Sequence, residues 1–322
     1  MAIAEQIDVD GPDVRTLPRL LRAHARNRPD ALALRQKRFG IWNELTWAEY
    51  ELRVSHFAQG LLALGYGRGD HVAILSENRQ EWLIAELGMQ MVGAVATGVY
   101  PTSPAPEIQH VLDLTESKAI VCEDQEQVDK VLEIKGQLPS LRHIIYFDGK
   151  GLSSYDEPDL VPYTKLMEAG AKAAQSDPEF LDQALRDHDP DDVALIVGTS
   201  GSTGLPKAAL ITYRNIAFVG EASAQNIGQT EQDSAVSYLP LCHVAEQLFS
   251  VFLAMYGGYA VSFGESLRTV QSDLREIAPT IFLGVPRIWE KMRAEVLIRA
   301  RTAGPIQKLI LGLALRDARR FD

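Results

Sequence analysis

The middle of the chain alternates between short apolar runs and longer segments in which apolar residues recur at helical spacing. The apolar runs have the length expected of buried strands. The predicted strands are 71–75, 94–99, 118–122 and 143–147, and the predicted helices are 79–91, 103–114 and 125–138. Because helices of about 10–15 residues separate the strands, this pattern predicts βαβ units and a mostly parallel sheet.

The N-terminal part of the chain predicts a tail, a helix, a strand pair and a second helix. Residues 1–15 are expected to form a loosely held tail. The predicted elements after it are a helix at 16–27 and strands at 31–34 and 41–45. Thr46 and Glu49 have the spacing of a capping box, so a long helix is expected to begin there and to end at Gly65. Its predicted inward side chains are Leu52, Phe57, Leu61 and Leu64.

The second half of the chain begins with a polar stretch. Residues 148–190 are rich in Asp, Gly and Pro, and they are predicted to form a surface excursion with a subdomain boundary near 150–190. The elements predicted here and beyond are helices at 162–167, 178–186, 215–227 and 267–277, and strands at 234–239 and 279–283. Together these patterns predict an α/β fold of two packed subdomains, in which helices flank mostly parallel sheets.

A loop rich in glycine and hydroxyl groups separates two apolar runs, at 193–197 and 208–212. From Gly198 to Lys207 it reads GTSGSTGLPK, and the flanking runs are predicted to be short, largely buried strands. Glycines let backbone N–H groups approach an anion, hydroxyl groups add donors, and Lys207 supplies a positive charge. The residues predicted to bind an oligophosphate are Thr199, Ser200, Gly201, Ser202, Thr203, Gly204 and Lys207. Donors held in place would also stabilise charge on a leaving phosphate.

Two more common motifs do not fit this loop. A Walker loop requires Gly-Lys-Ser/Thr, but Leu205 and Pro206 separate the last glycine from Lys207. The hydrolase elbow G-x-S-x-G would need a glycine where Ser202 stands. A hairpin loop without function is the plain alternative, and the Pro-Lys end of the loop argues against it.

The composition is that of a soluble globular protein, with 46% hydrophobic and 23% charged residues. A net charge of −11 and the lack of a basic stripe argue against nucleic acid as a partner. Cys122 and Cys242 belong to no Cys/His cluster, so we expect free buried thiols in a reducing cytoplasm. The N-terminus has no signal-peptide pattern, and the uncharged stretch 247–264 is expected to be a buried helix, a glycine turn and a strand.

The loop TSGSTGLPKA resembles the phosphate-loop signature of the adenylate-forming superfamily. This group includes acyl- and aryl-CoA synthetases, peptide-synthetase adenylation domains and beetle luciferases. The segments LTWAEY, GAVATGVYPTSP and LPLCHVAE are similar to other signatures of the family. The segment that contains VPRIWEK resembles the long- and very-long-chain fatty acyl-CoA synthetase branch. The chain departs from the family pattern at Ala208 and Tyr213, where glycine and histidine are usual.

The resemblance implies a two-step activation of a long-chain fatty acid that uses ATP, Mg²⁺ and coenzyme A. The carboxylate attacks the α-phosphorus of ATP, which gives acyl-adenylate and pyrophosphate, and the CoA thiolate then displaces AMP. The resemblance implies catalytic roles for Lys207, at the leaving pyrophosphate, and for His243, beside the acyl and carboxylate pocket. A helix cap is the structural alternative for His243, and Glu246 is interpreted as a first-turn carboxylate facing the helix dipole. Arg287 and Trp289 are interpreted as an ion-pair residue and a core aromatic residue.

Later signatures of the family find no match in the sequence. These are the glycine-rich adenine turn, the Glu expected to hold Mg²⁺, the ribose-binding Thr-Gly-Asp and the small C-terminal domain. Residues 16–322 are therefore expected to be a truncated AMP-binding domain that does not turn over alone.

The alternatives are a non-catalytic remnant or binding module, an acyl- or aryl-adenylating enzyme that serves a carrier protein, and a phosphate-loop NTPase. The NTPase is weakened because the sequence has no convincing Walker-B acid. The expected location is the cytoplasm, with peripheral association at the inner face of the membrane left open, and the sequence does not determine the oligomeric state.

Overall fold

The computed structural model describes residues 15–177, 179–199, 206–266, 268–302 and 304–318. The predicted tail at 1–15 lies outside the described residues except for Arg15. The strands are β1 (Leu32–Arg38), β2 (Ile41–Thr46), β3 (His71–Leu75), β4 (Val95–Val99), β5 (Ala119–Cys122), β6 (His143–Tyr146), β7 (Leu160–Pro162), β8 (Val193–Thr199), β9 (Lys207–Thr212), β10 (Ser234–Ser237) and β11 (Ala260–Phe263).

Within the described residues the helices include one π-helical turn, Leu248–Phe252, between two short α-helices. They are α1 (Leu17–Asn27), α2 (Trp47–Ala63), α3 (Gln80–Met91), α4 (Ala105–Leu114), α5 (Gln125–Lys135), α6 (Tyr163–Ser176), α7 (Phe180–Arg186), α8 (Tyr213–Asn226), α9 (Val244–Gln247), α10 (Leu253–Gly257), α11 (Val270–Ile277), α12 (Pro286–Thr302) and α13 (Pro305–Ala318).

A seven-stranded sheet with the order β7-β6-β5-β3-β4-β8-β9 forms the larger half of the fold. All neighbouring strands are parallel except β8 and β9, which form an antiparallel hairpin. Val72 and Ile74 of β3 face the core with α2 and α3, whereas Ala73 and Leu75 face the core with α4 and α5. Both faces of the central strand are buried, which explains its uninterrupted apolar run. The predicted βαβ pattern and parallel sheet are confirmed.

A four-stranded sheet with the order β10-β11-β1-β2 forms the smaller half. The predicted N-terminal strand pair is confirmed, because β1 and β2 are antiparallel partners. On its other side β1 pairs in parallel with β11, so that Leu34 lies opposite Val261. The two halves are therefore not consecutive along the chain, since the first two strands join strands from far downstream.

Helix α2 begins as predicted, with both hydrogen bonds of the capping box between Thr46 and Glu49. Gly65 follows the helix with a φ of +83°, a conformation that glycine adopts readily. Phe57 and Leu61 are fully buried, but Leu52 is 54% exposed, so its predicted inward position is wrong. In its first turns, α2 therefore exposes an apolar side chain that the apolar pattern predicted to be buried.

The polar stretch at 148–190 supplies β7, which pairs with β6, and the helices α6 and α7. Helix α6 packs directly on α2, where glycines allow the close approach: a Cβ on Gly170 would lie 1.7 Å from the carbonyl oxygen of His56. Strands before and after this stretch belong to the same sheet. The subdomain boundary near 150–190 stays a prediction.

The contacts divide the chain into two compact units, Met1–Ile281 and Phe282–Asp322, and the second unit contains α12 and α13. The strand predicted at 279–283 is wrong, because within the described residues it reduces to one parallel bridge between Ala235 and Ile281. Trp289 of the second unit is 52% exposed and donates from Nε1 to the Gly284 carbonyl oxygen at 2.8 Å. It is therefore not the core aromatic residue that we predicted.

The uncharged stretch at 247–264 is a buried helix, a glycine turn and a strand, as predicted. It runs from the end of α9 through the π-helical turn and α10, reverses at Gly258 with a φ of +72°, and continues as β11. Its side chains lie in the main core. In the described residues no helix has both the length and the apolar character that a membrane crossing requires.

Candidate functional site: the hairpin loop and the His243 turn

The loop predicted to bind phosphate joins β8 and β9 at the tip of their hairpin. Thr199 and Lys207 are the last cross-strand pair, and the Thr199 hydroxyl donates to the Lys207 carbonyl oxygen at 3.2 Å. Five of the predicted ligands lie outside the described residues, namely Ser200, Gly201, Ser202, Thr203 and Gly204. The predicted strand–loop–strand arrangement is confirmed, and the phosphate-binding role of its residues stays a prediction.

The two strands of this hairpin differ in burial. β8 is buried along its middle, whereas β9 is the edge strand of the sheet and has no buried residue, with Leu210 61% exposed. The prediction that both flanking strands are largely buried is therefore wrong for β9. Lys207 is exposed, and within the described part of the chain no carboxylate forms an ion pair with its ammonium group.

The C-terminal end of the loop is attached to α4. Nε2 of His110 donates to the Pro206 carbonyl oxygen at 3.0 Å, which holds the residue directly before Lys207 against the helix. In the ladder Ala208 lies opposite Gly198, so the alanine departure from the family pattern falls on an exposed strand position.

Tyr213, the second departure from the family pattern, is a buried packing residue at the start of α8. Its ring stacks on His188 with centroids 5.5 Å apart and planes at 11°, and its hydroxyl donates to the Gln90 carbonyl oxygen at 3.4 Å. It is 3% exposed. The sequence assigned this residue no role, and the structure gives it one in packing.

His243 caps the helix that follows β10. Its Nδ1 accepts a hydrogen bond from the backbone N–H of Ala245 at 3.1 Å, and the side chain is exposed. Because Nδ1 is the acceptor, the neutral imidazole carries its proton on Nε2. The helix cap that we kept as the alternative is therefore present, and it leaves an N–H donor on the outer side of the ring.

The turn that bears His243 lies against β4. A Cβ added to Gly98 would lie 2.7 Å from Cα of Cys242, so only glycine allows the strand and the turn to approach this closely. Tyr100, at the end of β4, shares a hydrogen bond with the Cys242 thiol, and burial raises the pKa of Tyr100 to about 12. Strand β4 is the parallel neighbour of β8. One strand therefore separates the His243 turn from the hairpin that carries Lys207.

Glu246 is a buried carboxyl group in the first turn after His243. It is 2% exposed, and it accepts hydrogen bonds from the Leu239 backbone N–H at 3.1 Å and from the Ser250 hydroxyl. Burial raises the pKa of Glu246 to about 7. The prediction of a first-turn carboxylate is confirmed, but its burial was missed, and its hydrogen bond to Leu239 also closes the turn.

Glu86 of α3 is a second buried carboxyl group near the turn, and the sequence analysis did not identify it. It accepts hydrogen bonds from Nε1 of Trp82 at 3.0 Å and from Nε2 of Gln247 at 2.8 Å. Burial raises the pKa of Glu86 to about 7. The sequence carried a signal, because Glu86 stands within the apolar run WLIAEL. The structure buries every residue of this helix, so the glutamate has no exposed face to occupy.

An open cleft of about 870 Å³ lies at the carboxyl ends of strands from both sheets. Arg79 lines it but is already paired, with Glu81 at 2.9 Å and Glu123 at 3.5 Å. Lys207 and His243 do not line this cleft. Among the described residues, no three or more His, Cys, Asp or Glu side chains are grouped so that they could hold a metal ion. Cys122 and Cys242 are buried and free, as predicted.

Comparison with known proteins gives a family for the chain. The sequence model of the AMP-binding enzyme family matches residues 21–315. The long-chain-fatty-acid–CoA ligase ACSBG2 of Xenopus laevis is 32% identical over 305 residues, which cover 91% of this chain and 41% of that protein. The long-chain-fatty-acid–CoA ligase heimdall of Drosophila melanogaster is 35% identical over 279 residues, which cover 85% of this chain and 41% of that protein.

Solved structures show the same fold. A fatty acyl CoA synthetase of Mycobacterium tuberculosis superposes with a TM-score of 0.71 at 23% identity, over 87% of this chain and 52% of that one. The N-terminal domain of FACL13 from the same organism superposes with a TM-score of 0.69 at 24% identity, over 86% and 65% of the two chains. The chain spans 41% of the length of the two curated relatives. With its two sheets, its hairpin loop and its matching sequence, the chain belongs to the AMP-binding enzyme family.

Proposed function

We propose that the chain is the ATP- and acid-binding part of a long-chain fatty acid–CoA ligase. The observation that carries this proposal is the β8–β9 hairpin, with a loop of glycines, hydroxyl groups and Lys207 at its tip, one strand away from the turn that bears His243. The identity of about a third to the two long-chain ligases supports the acid class.

In this proposal the hairpin loop holds the β- and γ-phosphates of ATP. The exposed ammonium group of Lys207, without an ion-pair partner in the described part of the chain, offsets charge on the leaving pyrophosphate. The loop residues from Ser200 to Gly204 and the Thr199 hydroxyl supply the remaining donors. Mg²⁺ is expected to arrive on the phosphates, since it is usually bound by few protein carboxylates.

The fatty acid is proposed to bind beside the His243 turn. The imidazole presents Nε2–H, which is the donor that a carboxylate oxygen requires. The half-buried side chains of Leu248 and Phe249, one turn further along the same helix, offer an apolar surface for the acyl chain.

The proposed reaction has two steps. The carboxylate oxygen attacks the α-phosphorus of ATP, and the bond to pyrophosphate breaks while Lys207 stabilises the leaving group. The thiolate of CoA then attacks the acyl carbon of the adenylate and releases AMP. No described residue is assigned to CoA binding. CoA as the acyl acceptor is therefore inferred from the relatives alone.

The experiment that tests this function is exchange of labelled pyrophosphate into ATP by the purified chain, with and without fatty acids of increasing length. Lys207→Ala is the test variant. Lys172→Ala, which removes an exposed lysine from α6, is the matched control. Exchange that requires both a fatty acid and Lys207 supports the proposal. A folded chain that binds ATP but neither binds a fatty acid nor shows exchange with one would contradict it and would support a binding module.

A further inference from the structure

Asn78 joins the larger sheet to the turn that precedes His243. It follows β3, in the segment Ser76-Glu77-Asn78-Arg79, and its side chain reaches across to the other half of the fold. Its Nδ2 donates to the Ser237 hydroxyl at 2.8 Å and to the Leu239 carbonyl oxygen at 2.5 Å. Its Oδ1 accepts from the Leu241 backbone N–H at 2.9 Å. One side chain thus makes three hydrogen bonds, one to the end of β10 and two to the turn after it.

Only an amide can make this set of hydrogen bonds. The Leu239 carbonyl oxygen is solely an acceptor and the Leu241 N–H is solely a donor, so the two backbone groups fix the orientation of the Asn78 amide. An aspartate has the same shape but cannot donate to the Leu239 oxygen, and its negative charge would face that oxygen. Asn78→Asp therefore breaks the attachment with almost no change in volume.

The turn that Asn78 holds is connected to the His243 imidazole by a few backbone hydrogen bonds. The His243 backbone N–H donates to the Pro240 carbonyl oxygen at 2.9 Å, in the middle of the segment that Asn78 holds. On the other side the imidazole is fixed by its cap to Ala245. Displacement of the 239–241 backbone therefore moves the ring of His243 relative to β4.

We propose that Asn78 is a positioning residue, which sets the place of the His243 imidazole and thereby the affinity of the site for the acid carboxylate. This inference rests on the proposed function for the identity of the ligand, but the positioning itself does not. The described ends of the hairpin loop lie in β8 and β9 and at Pro206, which His110 binds, and the hydrogen bonds of the Asn78 side chain within the described residues go elsewhere. Loss of Asn78 should therefore weaken acid binding and leave ATP binding in place.

The test measures dissociation constants for oleate and for ATP, each by calorimetry, in the wild-type chain, Asn78→Asp and Asn78→Ala. We expect the dissociation constant for oleate to rise about tenfold in Asn78→Asp, the scale of one lost hydrogen bond, while the constant for ATP stays within about twofold. Parallel loss of both affinities would identify Asn78 as a general fold residue and overturn the proposal.

Imidazole NMR supplies a readout that needs no ligand. In ¹⁵N-labelled protein, the His243 ring signals are expected to shift in Asn78→Asp, while those of His110, on α4 next to the hairpin, stay in place. Unchanged His243 signals would overturn the proposal. If the wild-type chain binds no oleate, the proposed function fails, and the His243 signals alone decide whether Asn78 positions the ring.

Discussion

Replacement of Glu86 by glutamine should make the protein more stable at alkaline pH. The Glu86 carboxyl group is 2% exposed, and two of its hydrogen bonds come from Trp82 and Gln247. The Oε1 atoms of Gln90 and Gln247 are buried and have no hydrogen-bond partner among the described residues. Both amides contact Glu86 through their nitrogen atoms, and Gln247 also donates to the Leu241 carbonyl oxygen. A rotated Gln90 amide can therefore accept a hydrogen bond from a neutral Glu86 carboxyl group. The surroundings of Glu86 therefore favour its neutral carboxyl group. Glutamine has nearly the same shape as that group and carries no charge.

The magnitude follows from the pKa of Glu86, which burial raises from 4.5 to about 7. The folded protein therefore holds this proton more tightly than the unfolded chain does, and the free energy of unfolding falls as pH rises from about 4.5 to about 7. At about 1.36 kcal/mol for each pH unit, the ionised group costs about 3 kcal/mol at pH 8. Burial also raises the pKa of Glu246 to about 7, so this group adds to the fall in the free energy of unfolding of the wild-type chain as pH rises. The substitution at Glu86 leaves Glu246 intact.

The assay is urea unfolding of the wild-type chain and of Glu86→Gln at pH 5 and pH 8. The free energy of unfolding of the variant, relative to wild type, is expected to rise by about 2.5 kcal/mol from the lower to the higher pH. Glu133→Gln, at an exposed position on α5, is the matched control and should show no such change. A difference between Glu86→Gln and wild type that is the same at both pH values would contradict a raised pKa of Glu86 in the folded protein.

Two further substitutions test the packing of the turn and the start of α2. Gly98→Ala should displace the His243 turn or lower the free energy of unfolding by about 1–3 kcal/mol, because the added Cβ would overlap Cys242. Unchanged His243 NMR signals together with an unchanged free energy of unfolding would contradict this. Thr46→Ala removes the side-chain half of the capping box and should cost about 1 kcal/mol in urea unfolding, whereas Thr102→Ala, at an exposed turn position, should cost almost nothing. Equal effects of the two threonine substitutions would argue against the cap.

The sequence predicted the central sheet well because its signals are local. Each buried parallel strand needs apolar residues on both faces, so an unbroken run such as 71–75 is readable without tertiary information. The capping box at Thr46 and the left-handed glycine at 65 are equally local signals, and both were found where predicted.

The errors occur where burial depends on distant partners. The position of β9 at the sheet edge follows from strand order, which the apolar run at 208–212 does not encode. The exposure of Leu52 depends on which helices cover α2, and the parallel pairing of β1 with β11 joins residues more than 200 positions apart. None of these facts has a signal within a sequence window of one element.

The candidate site was predicted in part for the same reason. Lys207 and His243 stand in recognisable motifs, so the sequence proposed both. The buried carboxyl groups and the amide of Asn78 act through contacts between elements, and the contacts of Asn78 bridge more than 150 positions. Such residues become visible only when the two halves of the fold are packed together.

Calorimetric titration of the folded chain with MgATP measures directly whether the β8–β9 loop binds the phosphates of ATP. We expect saturable binding that Lys207→Ala weakens by about tenfold or more, the scale of one lost charge-assisted contact, while Lys172→Ala leaves it unchanged. No binding by the folded wild-type chain, or equal binding by both lysine variants, would contradict phosphate binding by this loop.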